Sequence, residues 1–314
     1  MIVESMQAEA DSSQRKIGAV FATMNRAEVA LECANRLLAQ TYPLAGVWIA
    51  DNSSSDDTIQ LLNGLGQPVE VIALEKNLGN AGGIHESIER AFAAGMDAVW
   101  ILDDDSLPRK NALAELMKHW MPDTVVSPLQ IDPQHKDLTW PMMVREMSAW
   151  RISERLEDLP QAEVFEVRSA WTGALVSREI YAKAGPVMAE LFIRGEDEEY
   201  PARIAAAGYG FICVRASVLD HKGPDNLVKW SLFGRSFFVE PEIASWKQYY
   251  KIRNMVWMKV RFSGTCSGVV MAATYLLAIL RFNGWEPARI QAWWRAVRDG
   301  WMNRLGPVDH DSFQ

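Results

Sequence analysis

Between Lys16 and Asp105, short apolar β-rich runs alternate with stretches of helical pattern, and no other feature of the chain restricts its fold as tightly. KIGAVFAT precedes RAEVALECANRLLAQ, GVWIADNS precedes a short helical stretch in DDTIQLLNGL, VEVIALE precedes IHESIERAFAAG, and AVWILDDD closes the series. This alternation predicts βαβ units and a mainly parallel sheet flanked by helices, the α/β class. Helix-start signals agree, since Asn25 stands three residues before Glu28 and Ser54 three before Asp57, both capping-box spacings. In an open parallel sheet, ligands bind outside the carboxyl ends of the strands, where FATMNR, ADNSSSDD, EKNLGNAGG and LDDDS all fall. Four polar loops are therefore expected along one edge.

Beyond that series the pattern loosens. A helix is expected to begin near Pro108 and to reach about Trp120, TVVSPLQI reads as a strand, and residues 132–166 show no ordered pattern. WTGALVS reads as a strand, REIYAKAG as a short helix, and GEDEEYPARIAAAGYG as an acidic turn entering a helix, with Pro201 near its first position. GFICVRASVLDHKG closes the core as a strand ending in His221. The division expected is a disordered polar lead-in over 1–15, a core domain over 16–223, and a helical aromatic and basic extension over 224–314. The lead-in lacks the basic start and apolar run of a secretion signal.

Composition removes several function classes. The formal net charge is −8, which provides no footprint for nucleic acid, so an anionic ligand would need a local cation or backbone dipoles. Cys33, Cys213 and Cys266 are widely spaced, without a CxxC pair, and fit neither a disulfide framework nor a zinc knuckle. A reducing cytoplasm suits them.

Asp103, Asp104 and Asp105 follow a buried-looking strand, and Asp103 and Asp105, at alternate positions, can point two carboxylates the same way. A hard divalent cation bound to a diphosphate needs such a pair, whereas the plainer reading is a solvated acidic turn capping a helix. Placement at the strand edge favours the cation. In KNLGNAGG, glycines 79, 82 and 83 precede a helix whose first turn could face an anion, or they form an ordinary turn, for the run is neither GxGxxG nor a Walker loop. ADNSSSDDT alone reads as a helix cap, and compatibly with that Asp51 ends a buried strand where a carboxylate can accept from a base or ribose. Glu196, Asp197, Glu198 and Glu199 either serve a helix dipole or include a general base, and His221 is either a satisfied histidine or an imidazole completing a two-carboxylate metal site.

Taken in order, VFATMNR, ADNSSSDDT, NLGNAGG, ILDDDSLP, WTGALVSREIYAKAG, LFIRGEDEEY and DHKG resemble the inverting glycosyltransferases of family 2, which have the GT-A fold. The resemblance covers about Lys16 to Gly223 and looks closest to bacterial galactofuranosyltransferases, with rhamnosyltransferases, which more often show DQD, nearly as similar. It implies that Asp103, Asp105 and His221 bind Mn²⁺ or Mg²⁺, and that the metal holds the diphosphate of a nucleotide-sugar donor such as UDP-galactofuranose, or dTDP-rhamnose in the alternative. It further implies Thr23, Arg26, Asp51, Asn77, Gly82 and Asp104 on the donor, Glu196 and Trp171 on the acceptor, and Asp197 as the base that deprotonates it. Gly195, where an aromatic can occur, and Pro201 depart from the family pattern. The acceptor implied is a growing cell-surface glycan or a lipid-linked one, met in the cytoplasm at the inner face of the membrane.

Two other classes compete. A nucleotidyltransferase would share the sheet and the acidic ligands but needs a basic glycine-rich loop that FATMNRAE lacks, and a non-catalytic carbohydrate-binding protein would have less use for an intact DDD, GED and His221. In the extension, the uncharged run from Phe262 to Leu280 is barely long enough to span a bilayer and reads as a buried core or interface helix. WEPARIQAWWRAVRDGWMNRLG then sets Trp285, Trp293, Trp294 and Trp301 among Arg289, Arg295, Arg298 and Arg304. That pattern suits either peripheral contact with lipid headgroups or an amphipathic helix packed on the domain or on a second subunit of a homo-oligomer.

Overall fold

A computed structural model describes residues 15–309 apart from 225, 233 and 234. The lead-in expected over 1–15 therefore lies outside the described residues, Arg15 excepted.

In chain order the elements are β1 (Ile17–Thr23), α1 (Ala27–Leu38), β2 (Gly46–Asp51), α2 (Thr58–Asn63), β3 (Val69–Ala73), α3 (Gly79–Ala93), β4 (Ala98–Ile101) and β5 (Leu107–Pro108). There follow α4 (Ala112–Met117), β6 (Thr124–Asp132), β7 (Asp137–Leu138), β8 (Met142–Glu146), β9 (Ala149–Ser153), β10 (Val164–Glu166), β11 (Leu175–Ser177), α5 (Arg178–Ala184), α6 (Glu196–Ala206) and β12 (Gly210–Asp220). The chain closes with β13 (Val228–Leu232), β14 (Arg235–Val239), α7 (Ser245–Ser263), α8 (Thr265–Phe282) and α9 (Pro287–Trp301).

The central sheet runs β10-β12-β6-β11-β4-β1-β2-β3. Strands β4, β1, β2 and β3 are parallel neighbours, as are β6 and β12, while β11 lies antiparallel between the two groups. Strands β1, β2 and β4 are buried along their whole length, which their unbroken apolar sequences require of a sheet covered on both faces. This mainly parallel sheet with helices on both sides is the α/β class expected from the sequence.

Local signals erred where tertiary pairing outweighed them. Asn25 and Ser54 cap no helix: Asn25 has φ of 52°, its Oδ1 accepts from Ser55 N at 2.7 Å, and Ser54 Oγ accepts from Asn25 N at 2.8 Å. They latch the β1 and β2 loops to each other instead. No helix begins at Pro108, which pairs with Leu219 as β5, and α4 starts at Ala112. Pro201 lies inside α6 rather than at its start, because the helix begins at Glu196. The unpatterned stretch 132–166 contains the separate hairpin β8–β9, paired from Met142↔Ser153 to Glu146↔Ala149, which packs outside the main sheet.

Residues after 224 contact the core, for Asn254 donates to the carbonyls of Leu191, Ile193 and Arg194. In α7, Tyr249, Tyr250, Ile252, Arg253, Asn254 and Val256 are fully buried, and the helix packs on α8 and α9.

Candidate functional site

The carboxyl ends of β1, β2 and β4 open on a cleft of about 1010 Å³. Its walls include Thr23 at the end of β1 and Arg26 after it, Asn77, Gly79 and Asn80 before and within α3, the three aspartates after β4, Trp171 and Thr172 before β11, and Arg194 to Glu198. The far wall comes from β13–β14, α7 and α8.

The aspartates divide their tasks. Asp103 Oδ2 accepts from Thr172 Oγ1 at 2.6 Å, Asp104 accepts from Thr23 Oγ1 at 2.8 Å and from Arg26 Nη1 at 2.5 Å, and Asp105 accepts from Arg26 Nη2 at 3.0 Å. Burial raises Asp103, opposed by His221 and by the Thr172 hydroxyl. Burial also pushes Asp104 up to about 6 against the pull of Arg26. One guanidinium thus offsets only part of the charge of a turn bearing three carboxyls, and the turn retains excess negative charge.

His221 follows β12, its Nδ1 2.8 Å from Ser106 Oγ and 3.8 Å from Asp105 Oδ1. Among the described residues, no three His, Cys, Asp or Glu side chains gather in metal-ligand geometry. The donor set nevertheless fits a hard divalent cation in kind: carboxylate oxygens with one imidazole, beside uncompensated negative charge in a partly desolvated cleft.

The acidic motif is held from both sides. Glu196 is buried, its Oε1 accepts from Asn80 Nδ2 at 2.9 Å, and its Oε2 has no hydrogen-bond partner among the described residues. Burial, then the neighbouring Asp197, pushes Glu196 well above the carboxylate range. Asp197 is exposed to the cleft and its Oδ1 accepts from Gly195 N at 3.0 Å. Glu198 is exposed at the cleft like Asp197, but the surrounding protein partly desolvates its carboxyl, which this and Asp197 push up to about 7 while Lys259 and Lys251 of α7 draw it back.

The segment leading into α6 turns through positive φ at Phe192 (66°), Arg194 (65°) and Gly195 (118°). Two non-glycine residues in that region persist only when surroundings impose them. Asn254 of α7 imposes them, donating its Nδ2 to the carbonyls of Leu191 (3.0 Å), Ile193 (3.2 Å) and Arg194 (2.5 Å). Arg253, wholly buried, donates its Nη2 to the Leu191 carbonyl at 3.0 Å and its Nε to Asn254 Oδ1 at 2.9 Å. From the other side Gly79, with φ of 72°, lies so close that an added Cβ would stand 2.1 Å from the Phe192 carbonyl oxygen.

The structure brings Thr23, Arg26, Asn77, Asp103, Asp104, Asp105, Trp171, Glu196, Asp197 and His221 to one cleft. Two expected donor residues stand behind its wall. Asp51 is fully buried, Oδ2 accepting from Ser54 N at 2.8 Å and Oδ1 without a partner among the described residues. Gly82 is buried within α3, where a Cβ would meet Leu78 Cβ at 2.5 Å, and at the adjacent Gly83 one would meet Ala22 Cβ at 2.6 Å. The first turn of α3 is also partly spoken for, since Ala81 N donates to the Phe192 carbonyl at 3.0 Å. Sequence reasoning missed Thr172, Asn80, Ser106, Arg253 and Asn254. The partners of their side chains lie 53 or more residues away, apart from the adjacent Arg253–Asn254 contact.

Residues 19–183 match the profile described as Glycosyl transferase family 2. The chain is 26% identical over 249 residues to galactofuranosyltransferase GlfT1 of Mycolicibacterium smegmatis, covering 75% of this chain and 80% of the relative. It is 29% identical over 246 residues to the protein of the same name from Mycobacterium tuberculosis, covering 75% and 79%. Among solved structures, GalNAc-T7 with UDP, GalNAc and Mn²⁺ superposes with a TM-score of 0.55 at 16% identity, covering 82% of this chain and 52% of that one. This chain therefore spans about half the length of that protein, and the likeness concerns the GT-A fold alone.

Proposed function

Because the chain belongs to glycosyl transferase family 2 and is a glycosyltransferase of the GT-A fold, we propose that it transfers galactofuranose from UDP-galactofuranose, with inversion, to a hydroxyl of a glycan or lipid-linked glycan in the cytoplasm at the inner face of the membrane. The observation that carries the reading is the cleft itself, where a turn of three aspartates faces the solvent-exposed Asp197 beside a buried glutamate. The similarity to two proteins named galactofuranosyltransferase supports the choice of sugar.

Asp103, Asp105 and His221 would hold a divalent metal, Mn²⁺ or Mg²⁺, which when bound offsets the charge of the leaving diphosphate. Arg26 stabilises the same negative charge from the protein side, and its grip on Asp104 and Asp105 orients both carboxylates. Thr23, Asn77 and Asp104 line the donor end, and Asp51 lies buried behind that wall, its Oδ2 accepting from Ser54 N at 2.8 Å.

Asp197 takes the proton of the acceptor hydroxyl as it attacks the anomeric carbon from the face opposite the diphosphate. Glu196, kept largely protonated by burial, can donate a hydrogen bond to the acceptor where an ionised carboxyl could only accept one. Trp171, packed edge-on to Tyr200 with ring centroids 6.1 Å apart, offers an apolar face for a sugar ring.

The test is a panel of nucleotide sugars incubated with the protein and Mn²⁺, with nucleotide release followed with and without glycan acceptors. Acceptor-stimulated release from UDP-galactofuranose alone is expected. Preference for dTDP-rhamnose would reassign the sugar, and release from no donor would overturn the reading.

A further inference from the structure

Helix α8 presents three unlike faces. Met271, Thr274, Tyr275 and Ala278 line the cleft, Gly268, Ala272 and Ile279 are buried, and Val269, Val270, Ala273 and Leu277 are exposed on a third stripe. These exposed positions are spaced at one, four and eight residues, so they share one side of the helix, away from the cleft. No residue from Phe262 to Leu280 is charged. An uncharged outward stripe is unusual for a surface helix, whose solvent face is ordinarily polar.

The neighbouring helix extends the surface. Trp293 of α9 turns inward, donating its Nε1 to the Ala272 carbonyl at 2.9 Å, and the ring of Trp301 lies 3.4 Å from where a Cβ on Gly268 would stand. These contacts lay α9 along α8, so the exposed Trp294 and Trp301 border the apolar stripe, while Trp285, 75% exposed, stands in the turn joining the two helices.

Charge points to the occupant. From Lys259 to Arg304 the sequence has seven Lys and Arg against two carboxylates, in a chain whose formal net charge is −8. One of the two carboxylates, Asp299, is buried and already met by Arg298 at 2.8 Å. Arg261 and Arg281 are exposed near the two ends of the stripe, and Arg298 and Arg304 are exposed beyond its border.

We propose that the outward face of α8, with Trp285, Trp294 and Trp301, docks on an anionic lipid bilayer and lies in its headgroup region. Apolar side chains enter the interface, tryptophans sit at the headgroup level, and the arginines meet lipid phosphates. Thr265–Phe282 is long and apolar enough to cross a membrane, with mean hydropathy 1.6. It lies on the bilayer rather than crossing it, because its other two faces are committed to the cleft and to α7 and α9. One helix thereby separates the cleft from the lipid, so an acceptor carried by a lipid reaches the cleft around α8. This placement rests on the proposed transfer for its acceptor, and the surface itself does not.

The test is co-sedimentation of the full chain with vesicles of phosphatidylglycerol and phosphatidylcholine, or of phosphatidylcholine alone, at low and high salt. Binding to the anionic vesicles is expected, weakened at least ~10-fold by high salt and by the double substitution Val270→Glu, Leu277→Glu, and less by Trp285→Ala. All the substituted side chains are exposed, so melting temperature and turnover of a water-soluble acceptor should be unchanged, and loss of turnover in the wild type would count against the transfer reading alone. Absence of wild-type binding, or binding indifferent to both variants, would overturn the proposal. So would a dimer that the glutamates dissociate, which would assign the face to a second copy.

Discussion

Asn254→Ala removes the side chain that donates to the carbonyls of Leu191, Ile193 and Arg194, of which Leu191 alone also accepts from Arg253. Each such hydrogen bond contributes about 1 kcal/mol net, and a carbonyl left unpaired in the interior costs about as much again. One amide has two N–H groups to share among the three carbonyls, and the Leu191 carbonyl keeps its Arg253 donor, so the loss comes to ~3 kcal/mol, about 2 from the bonds and about 1 from the carbonyls left unpaired. The released segment carries two non-glycine residues at positive φ directly before Gly195 and Asp197, so it relaxes and moves the carboxylate. A displacement of about 1 Å in a catalytic group costs on the order of 10²-fold in rate. Denaturant unfolding should therefore show a destabilisation of about 3 kcal/mol, and steady-state kinetics a kcat reduced at least ~10-fold with the donor KM nearly unchanged. A protein destabilised as expected with kcat intact would refute the positioning of Asp197 by α7. A stability loss under ~1 kcal/mol would refute the hydrogen-bond accounting itself.

Asp103→Ala and Asp105→Ala should each abolish turnover while the fold survives, and calorimetric titration with Mn²⁺ in the presence of UDP should lose its heat; full activity of either variant in EDTA would remove the metal from the mechanism. Asp197→Asn should lower kcat at least ~10²-fold with donor affinity intact, whereas Glu196→Gln should raise the acceptor KM more than it lowers kcat, and the opposite pattern would exchange the two roles. Glu198, raised to about 7, has a folded value above its unfolded one. Its contribution to stability is therefore present below about pH 4.5 and is lost as pH rises through about 7. Glu198→Gln removes that loss, so the melting-temperature difference, variant minus wild type, should grow between pH 5 and 8, and a flat difference would contradict the raised carboxyl.

The parallel half of the fold was legible because β1, β2 and β4 are buried on both faces and therefore read as unbroken apolar runs. The loops at their carboxyl ends were legible for the same reason, and with them the aspartate turn and the GED segment. The hairpin β8–β9 was not, since each of its strands buries a single residue and strands exposed on both faces leave little periodic signal. Asn25 and Ser54 have the spacing of caps yet latch loops, because a short polar side chain serves either purpose and the choice depends on a neighbour 29 residues away. Arg253 and Asn254 sit in a helix among aromatic and apolar residues and look in sequence like its polar face. Only the fold reveals that they point inward to carbonyls more than 50 residues distant.

The central claim is metal-dependent inversion, and NMR of the transferred sugar tests it most directly. The protein would be incubated with UDP-galactofuranose, a glycan acceptor and Mg²⁺, which avoids the line broadening of Mn²⁺, in parallel with an EDTA-treated sample. The account predicts one transferred sugar per UDP released, an anomeric configuration opposite to the donor's, and no transfer without the metal. Retained configuration, or transfer at full rate in EDTA, would contradict it.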